Sequence, residues 1–107
     1  MDLLQQIEEM RAMLNTAITA SRDRGIALAE SERCYKVKLY QTALQMKDEG
    51  LPSTFINTFI YGITDIANLR FERDKAEVMY ESAKDYINAV KLQLRILENQ
   101  LEREWNR

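Results

Sequence analysis

Between Ala76 and Leu101 the apolar residues fall at alternating steps of four and three without a miss. They are Ala76, Tyr80, Ala83, Ile87, Val90, Leu94, Leu97 and Leu101, and Trp105 follows four residues on. A strand turns its side chains to opposite faces at every residue and would scatter this set over both. A helix gathers it on one stripe, and a seven-residue repeat held this long is the signature of coiled-coil packing. No glycine or proline interrupts residues 63–107. Thr64-Asp65 offers a hydroxyl cap followed by an acid in the first turn, which suits the helix dipole. The spacing therefore predicts a helix over about 64–105.

The chain holds only three glycines and one proline, and three of these four residues lie between Gly50 and Gly62. Two long blocks thus flank one punctuated joint. The first block opens with Asp2, able to accept from first-turn amides, with Gln5 at the reciprocal capping position. Leu3, Ile7, Met10, Leu14 and Ala17 or Ile18 then form a stripe, which resumes at Leu28, Tyr35, Leu39, Ala43 and Met46. Between them Ser21-Arg-Asp-Arg-Gly25 reads as polar all round. A glycine inside a helix costs about 1 kcal/mol relative to alanine. That is small beside the burial on either side, so a continuous helix over about 2–49, weak or bent near Gly25, is favoured over a loop. A break there would make a compact four-helix chain instead. Just beyond, Glu32 and Lys36 are spaced to pair.

At the joint, Gly50 suits a left-handed C-terminal cap, Pro52 forbids continuation, and Ser53 can cap a new start. The segment Thr54–Tyr61 is rich in β-branched and aromatic residues, as a strand would be. However, Phe55, Ile56, Phe59 and Ile60 share a helical face, and no partner strand exists elsewhere, so a short helix over about 53–61 is expected. The fold class is then all-α: an antiparallel helical hairpin of two long coiled-coil-like helices joined by a short connector helix, one domain over residues 1–107.

The two seams satisfy each other and leave a surplus. Met13, Leu44, Val78 or Met79, Tyr86 and Ile96 flank the stripes, and the connector adds Phe55, Phe59, Ile60 and Ile63. Burying one such side chain is worth about 1.5–3 kcal/mol, and a two-helix hairpin has no third surface to cover them. Either the short helix folds back, or copies pack into an oligomeric bundle. A homo-oligomer is favoured, and a monomeric hairpin with ordinary surface apolar atoms stays open.

Little in the sequence suggests catalysis. Histidine is absent, which removes the commonest general base and transition-metal ligand together. The single Cys34 has no partner for a disulfide and no histidine base, so it reads as a half-buried structural thiol. No glycine-rich phosphate loop is present. Glu77, Glu81 and Asp85 recur on one helical face, but Lys75 and Lys84 intervene, and a solvated face explains them more simply than a cation site. Arg70 with Asp74 and Arg73 with Glu77 are spaced to pair near the start of the last helix. No cofactor, no metal and no enzyme activity are expected.

The question of function therefore moves to surfaces. Aromatic residues anchor interfaces, and Phe55, Phe59, Ile60, Tyr61, Tyr40, Tyr86 and Trp105 are the candidates for oligomer or partner contact. The net charge of −2 is spread evenly over both halves, which does not support strong nucleic-acid binding. Arg22, Arg24, Lys36 and Lys38 are the residues that could still touch phosphates. No apolar run approaches the length of a membrane span, and the start, MDLLQQIEEM, lacks the pattern of a secretion signal. A cytoplasmic protein without membrane contact is expected.

The stretches Ala67-Asn-Leu-Arg-Phe-Glu-Arg-Asp74, Leu92-Gln-Leu-Arg-Ile-Leu-Glu98 and Leu101-Glu-Arg-Glu-Trp105 resemble small uncharacterised helical proteins of phages and prophages of Gram-positive bacteria. The resemblance covers the last half of the chain plus the Gly50–Pro52 turn. It implies an accessory or host-directed role in the cytoplasm of a bacterial host, near genes for replication and recombination. It brings no catalytic residue with it. The layout is also similar to secreted helical hairpins with a Trp-x-Gly turn, but Tyr61-Gly62 departs from that turn and the last helix lacks their export signal. Two functions compete. One is an oligomeric protein-interaction module that binds or inhibits a host or phage nucleic-acid-processing protein of unknown identity. The other is a nucleic-acid-binding accessory protein of phage replication or recombination.

Overall fold

The computed structural model describes residues 2–106, and among these every regular element is helical. Helix α1 runs Leu3–Asp48, α2 runs Ser53–Phe59 and continues into a 3-10 turn at Ile60–Gly62, and α3 runs Thr64–Trp105. The chain is an antiparallel helical hairpin whose long arms, α1 and α3, are joined by the short connector.

Each junction has a local cause. At the start of α1 the Gln5 amide donates to Asp2 Oδ1 at 2.7 Å, which satisfies one of the orphan first-turn donors. The end of α1 is a Schellman motif. The Leu51 amide donates to the Met46 carbonyl at 3.2 Å and the Gly50 amide to the Lys47 carbonyl at 3.0 Å. That geometry needs a left-handed residue, and Gly50 supplies it with φ of 88°. Two cap assignments need correction. Pro52, not Ser53, occupies the cap of α2, with ψ of 151° and its carbonyl accepting from the Ile56 amide. Ile63, not Thr64, caps α3: it is extended, and its carbonyl accepts from the Ala67 amide at 2.8 Å. In both cases the residue that breaks the preceding turn also starts the next helix, which leaves the hydroxyl residue one position inside.

α1 passes through Ser21–Gly25 without a break. The apparent lapse in its stripe is a change of residue size, because Ser21, Gly25 and Leu28 are all half-buried at seam spacing. Small polar side chains on a helix seam look like surface in a sequence and yet sit beneath a partner helix.

The chain divides into two compact units that share the long helices: Met1–Arg24 with Met79–Arg107, and Gly25–Val78. In the first unit Ile7, Ala17 and Val90 are buried. Around them Met10, Leu14, Ala83, Ile87, Leu94, Leu97 and Leu101 are half-buried, so the four-three seam of α3 is the face that packs. Arg11 Nη2 reaches Glu98 Oε1 at 3.4 Å, and this contact between early α1 and late α3 fixes the antiparallel register. Both groups are exposed, so the pair marks the register more than it stabilises it.

In the second unit the buried cluster is Tyr35, Ile56, Ile60 and Ile66, with Leu39, Ala43, Met46, Leu51, Ile63 and Leu69 packed around it. Ile66 is wholly buried. The connector folds back and seats Ile56 and Ile60, one helical turn apart, against this cluster. Met46 and Leu51, the two ends of the Schellman motif, pack on the same cluster, as that motif usually arranges.

Candidate protein-docking surface

Helix α2 is too short to bury more than one ridge, and the ridge it buries is Ile56 with Ile60. This corrects one candidate: Ile60 is 3% exposed and belongs to the core, so it is no contact residue. Phe55 and Phe59 lie beside that ridge and remain outside. Their rings stack at 4.5 Å between centroids with 34° between planes, and Phe59 keeps 55% of its surface exposed. Folding back therefore covers half of the connector's apolar residues and displays the other half.

Tyr40 and Tyr61 come together on a different flank. A cleft of about 420 Å³ lies between α1 and the connector, with Tyr40, Ala43, Ile56, Asn57 and Tyr61 in its walls and Lys36 at its edge. Tyr40 is 70% exposed. The Arg70 guanidinium sits 5.5 Å from the centre of the Tyr61 ring, which holds that ring by a cation–π contact. The connector end thus combines aromatic faces, amide groups and a cation, the mixture enriched at protein interfaces. The other two aromatic candidates lie in the first unit: Tyr86 lines a groove there, and Trp105 is the exposed last residue of α3.

The basic candidates are not gathered. Arg22, Arg24, Lys36 and Lys38 are all exposed. Members of each pair stand two residues apart on a continuous helix, a spacing that points them to opposite sides. Lys36 is also engaged with Glu32 at 3.5 Å, the pairing the spacing predicts, while Arg24 lines the groove of the first unit.

Near the start of α3 the ion pairs differ from the expected ones. Arg73 Nη2 bonds its neighbour Asp74 at 2.8 Å, and Lys75 Nζ reaches Glu72 at 3.0 Å. Arg73 is diverted because its guanidinium lies 4.8 Å from the centre of the buried Tyr35 ring, and from there Asp74 is the carboxylate within reach. The hydrogen bond to Asp74 holds Arg73 above the ordinary arginine range, with Asp74, Tyr35 and Glu32 adding favourable charge against a desolvation cost. Lys84 is likewise raised, first by its hydrogen bond to Glu81. The acidic residues Glu77, Glu81 and Asp85 are exposed.

Cys34 also needs correction. It is exposed, because a residue next to Tyr35 along a helix lies about 100° round from it and does not share its buried face. Phe71, the aromatic of the charged segment Arg70–Asp74, is 62% exposed with Lys75 Nζ 5.6 Å from its ring centre. Met13, Met79 and Tyr86, which the sequence marks as surplus, line one groove. Met79, Ser82, Tyr86, Ala89, Gln93 and Ile96 repeat the three-four step alongside the seam of α3, so a second stripe could have been read there.

No protein-family model matches the chain, and neither a curated protein nor a solved structure matches it. No helix among the described residues is long and apolar enough to cross a membrane.

Proposed function

We propose that the protein is an oligomeric helical interaction module that acts by binding another protein and performs no catalysis of its own. The observation that carries this is the exposed aromatic set at the connector. Phe55, Phe59, Tyr61 and Tyr40 are each at least 40% exposed beside the buried Ile56 and Ile60. Leaving large rings in water forgoes about 1.5–3 kcal/mol for each, and they would gain it on docking against a partner. The resemblance of residues 67–74 and 92–105 to small phage helical proteins points the reading to an accessory factor that binds or inhibits a nucleic-acid-processing protein of the host or phage. On that reading it works in the bacterial cytoplasm.

The test is affinity capture from a bacterial lysate, with the wild-type chain compared with a Phe55→Ser/Phe59→Ser variant. Specific proteins should be retained by the wild type and lost from the variant, whose helix content should be unchanged because both rings are exposed. Identical captures by the two would refute the connector as the docking end. Steeply salt-dependent binding of the free chain to DNA would transfer support to the nucleic-acid-binding accessory reading.

A further inference from the structure

We infer that the groove on the first unit is the self-association surface, and that its occupant is the same face of a second copy of this chain. The groove, of about 560 Å³, lies between α1 and α3. The small residues Thr16, Ala20 and Ser82 line it together with the larger side chains of Met13, Met79 and Tyr86. All six are exposed in the single chain. The stripe of α3 that borders the groove carries no charge from Met79 to Ile96, and the stripe of α1 carries none from Met13 to Ala20. On the other flank of the same helices stand Arg11, Glu81, Lys84, Lys91, Arg95 and Glu98, with the Arg11–Glu98 pair across it. The groove side of this helix pair is the less charged of the two.

Three observations select a second copy as the occupant. The first is area. The chain exposes 8052 Å², whereas a compact monomer of its 12.6 kDa would expose about 6,200 Å². The difference is about 1,800 Å² over the whole chain, more than the roughly 800 Å² that a standard interface removes from each partner. The second is shape. A two-fold interface must be self-complementary, and this face offers large Met and Tyr side chains together with small residues that leave room for them. The third is charge. Two such faces meet without opposing like charges, and no charged partner is called for, because Arg24 at the end of the groove is its one charged lining residue. The product is a four-helix bundle over this unit. The inference rests on the oligomeric part of the proposed function and leaves the connector free for a foreign partner, so capture at the connector is tested separately from self-association.

Sedimentation velocity across a dilution series tests the proposal. The wild type should run at twice the 12.6 kDa chain mass. Ala20→Glu and Ser82→Glu should each fall to the single-chain mass with helix content retained, while Phe55→Ser/Phe59→Ser stays dimeric. A wild type that runs as a single chain at every concentration would overturn the inference. So would groove variants that remain dimeric, or a dimer broken only by the connector variant. Replacing Tyr86 with a benzophenone-bearing phenylalanine analogue supplies a readout that introduces no charge. Photolysis should join two copies through peptides spanning residues 12–24 or 79–89. Crosslinks confined to the connector, or none between copies, would contradict it.

Discussion

Ile60 and Phe59 are neighbours with opposite fates, and the difference sets the first two predictions. Ile60 is 3% exposed and Phe59 is 55% exposed. Ile60→Ala should therefore destabilise the chain by about 2–5 kcal/mol in denaturant unfolding, the range for emptying a packed site. Phe59→Ser should cost under about 1 kcal/mol in the same experiment. Equal costs would mean the connector is seated differently. The spacing of Phe55, Ile56, Phe59 and Ile60 revealed a helical arc, but not which edge of the arc meets the core. That depends on the angle at which Gly50 and Pro52 launch the connector, a tertiary quantity that periodicity does not carry. Arg73 was hidden for a related reason. Leu69, Arg73 and Ala76 continue the four-three step, so this cation occupies a seam position where an apolar residue is expected. Its side chain is 24% exposed and lies over the Tyr35 ring. Arg73→Ala should lower stability through the lost cation–π contact and packed stem. Because the folded-state value is raised, its favourable contribution is complete below the ordinary arginine range and is lost only as pH rises through the folded value. The cost of Arg73→Ala should therefore be the same at pH 6 as at pH 8, and unfolding curves at both would show it.

Among the elements, the helix boundaries were the most legible part of the fold. Breakers and caps act through local sterics, and Gly50, Pro52 and Gly62 are the only such residues outside the helix interiors. At Gly50 a side chain would meet nothing within 4 Å, so replacement there probes the backbone alone. Gly50→Ala should cost about 1–2 kcal/mol because φ of 88° is unfavourable for an L-residue. Chemical synthesis with D-alanine at the same position should cost nothing or add stability, and equal losses for both would disprove the backbone explanation. The seam of α3 was readable because large apolar residues fill it from Ala76 to Leu101. The middle of the α1 seam was not, because Ser21 and Gly25 pack there by being small. The pattern method registers hydrophobicity and is blind to close approach. The same blindness hid the groove, whose lining residues Thr16, Ala20 and Ser82 carry little apolar weight.

For the molecule as a whole, the sequence announced a surplus of apolar surface, and the structure gathers part of it in two places with different chemistry. At the connector the surplus is aromatic and mixed with amides and a cation, as a surface for a foreign partner is. In the first unit it is an uncharged face of methionine, tyrosine and small residues, which suits its own copy. The excess of exposed area is the ground for proposing that one of these surfaces is covered, and self-docking at the groove is the central claim. Amide hydrogen exchange on the wild-type chain, compared between concentrated and dilute solution, tests it most directly because it reports location as well as association. Residues 12–24 and 79–89 should exchange more slowly in the concentrated sample, while 53–62 exchange at the same rate in both. Exchange independent of concentration throughout, or protection gained at the connector instead, would contradict the account.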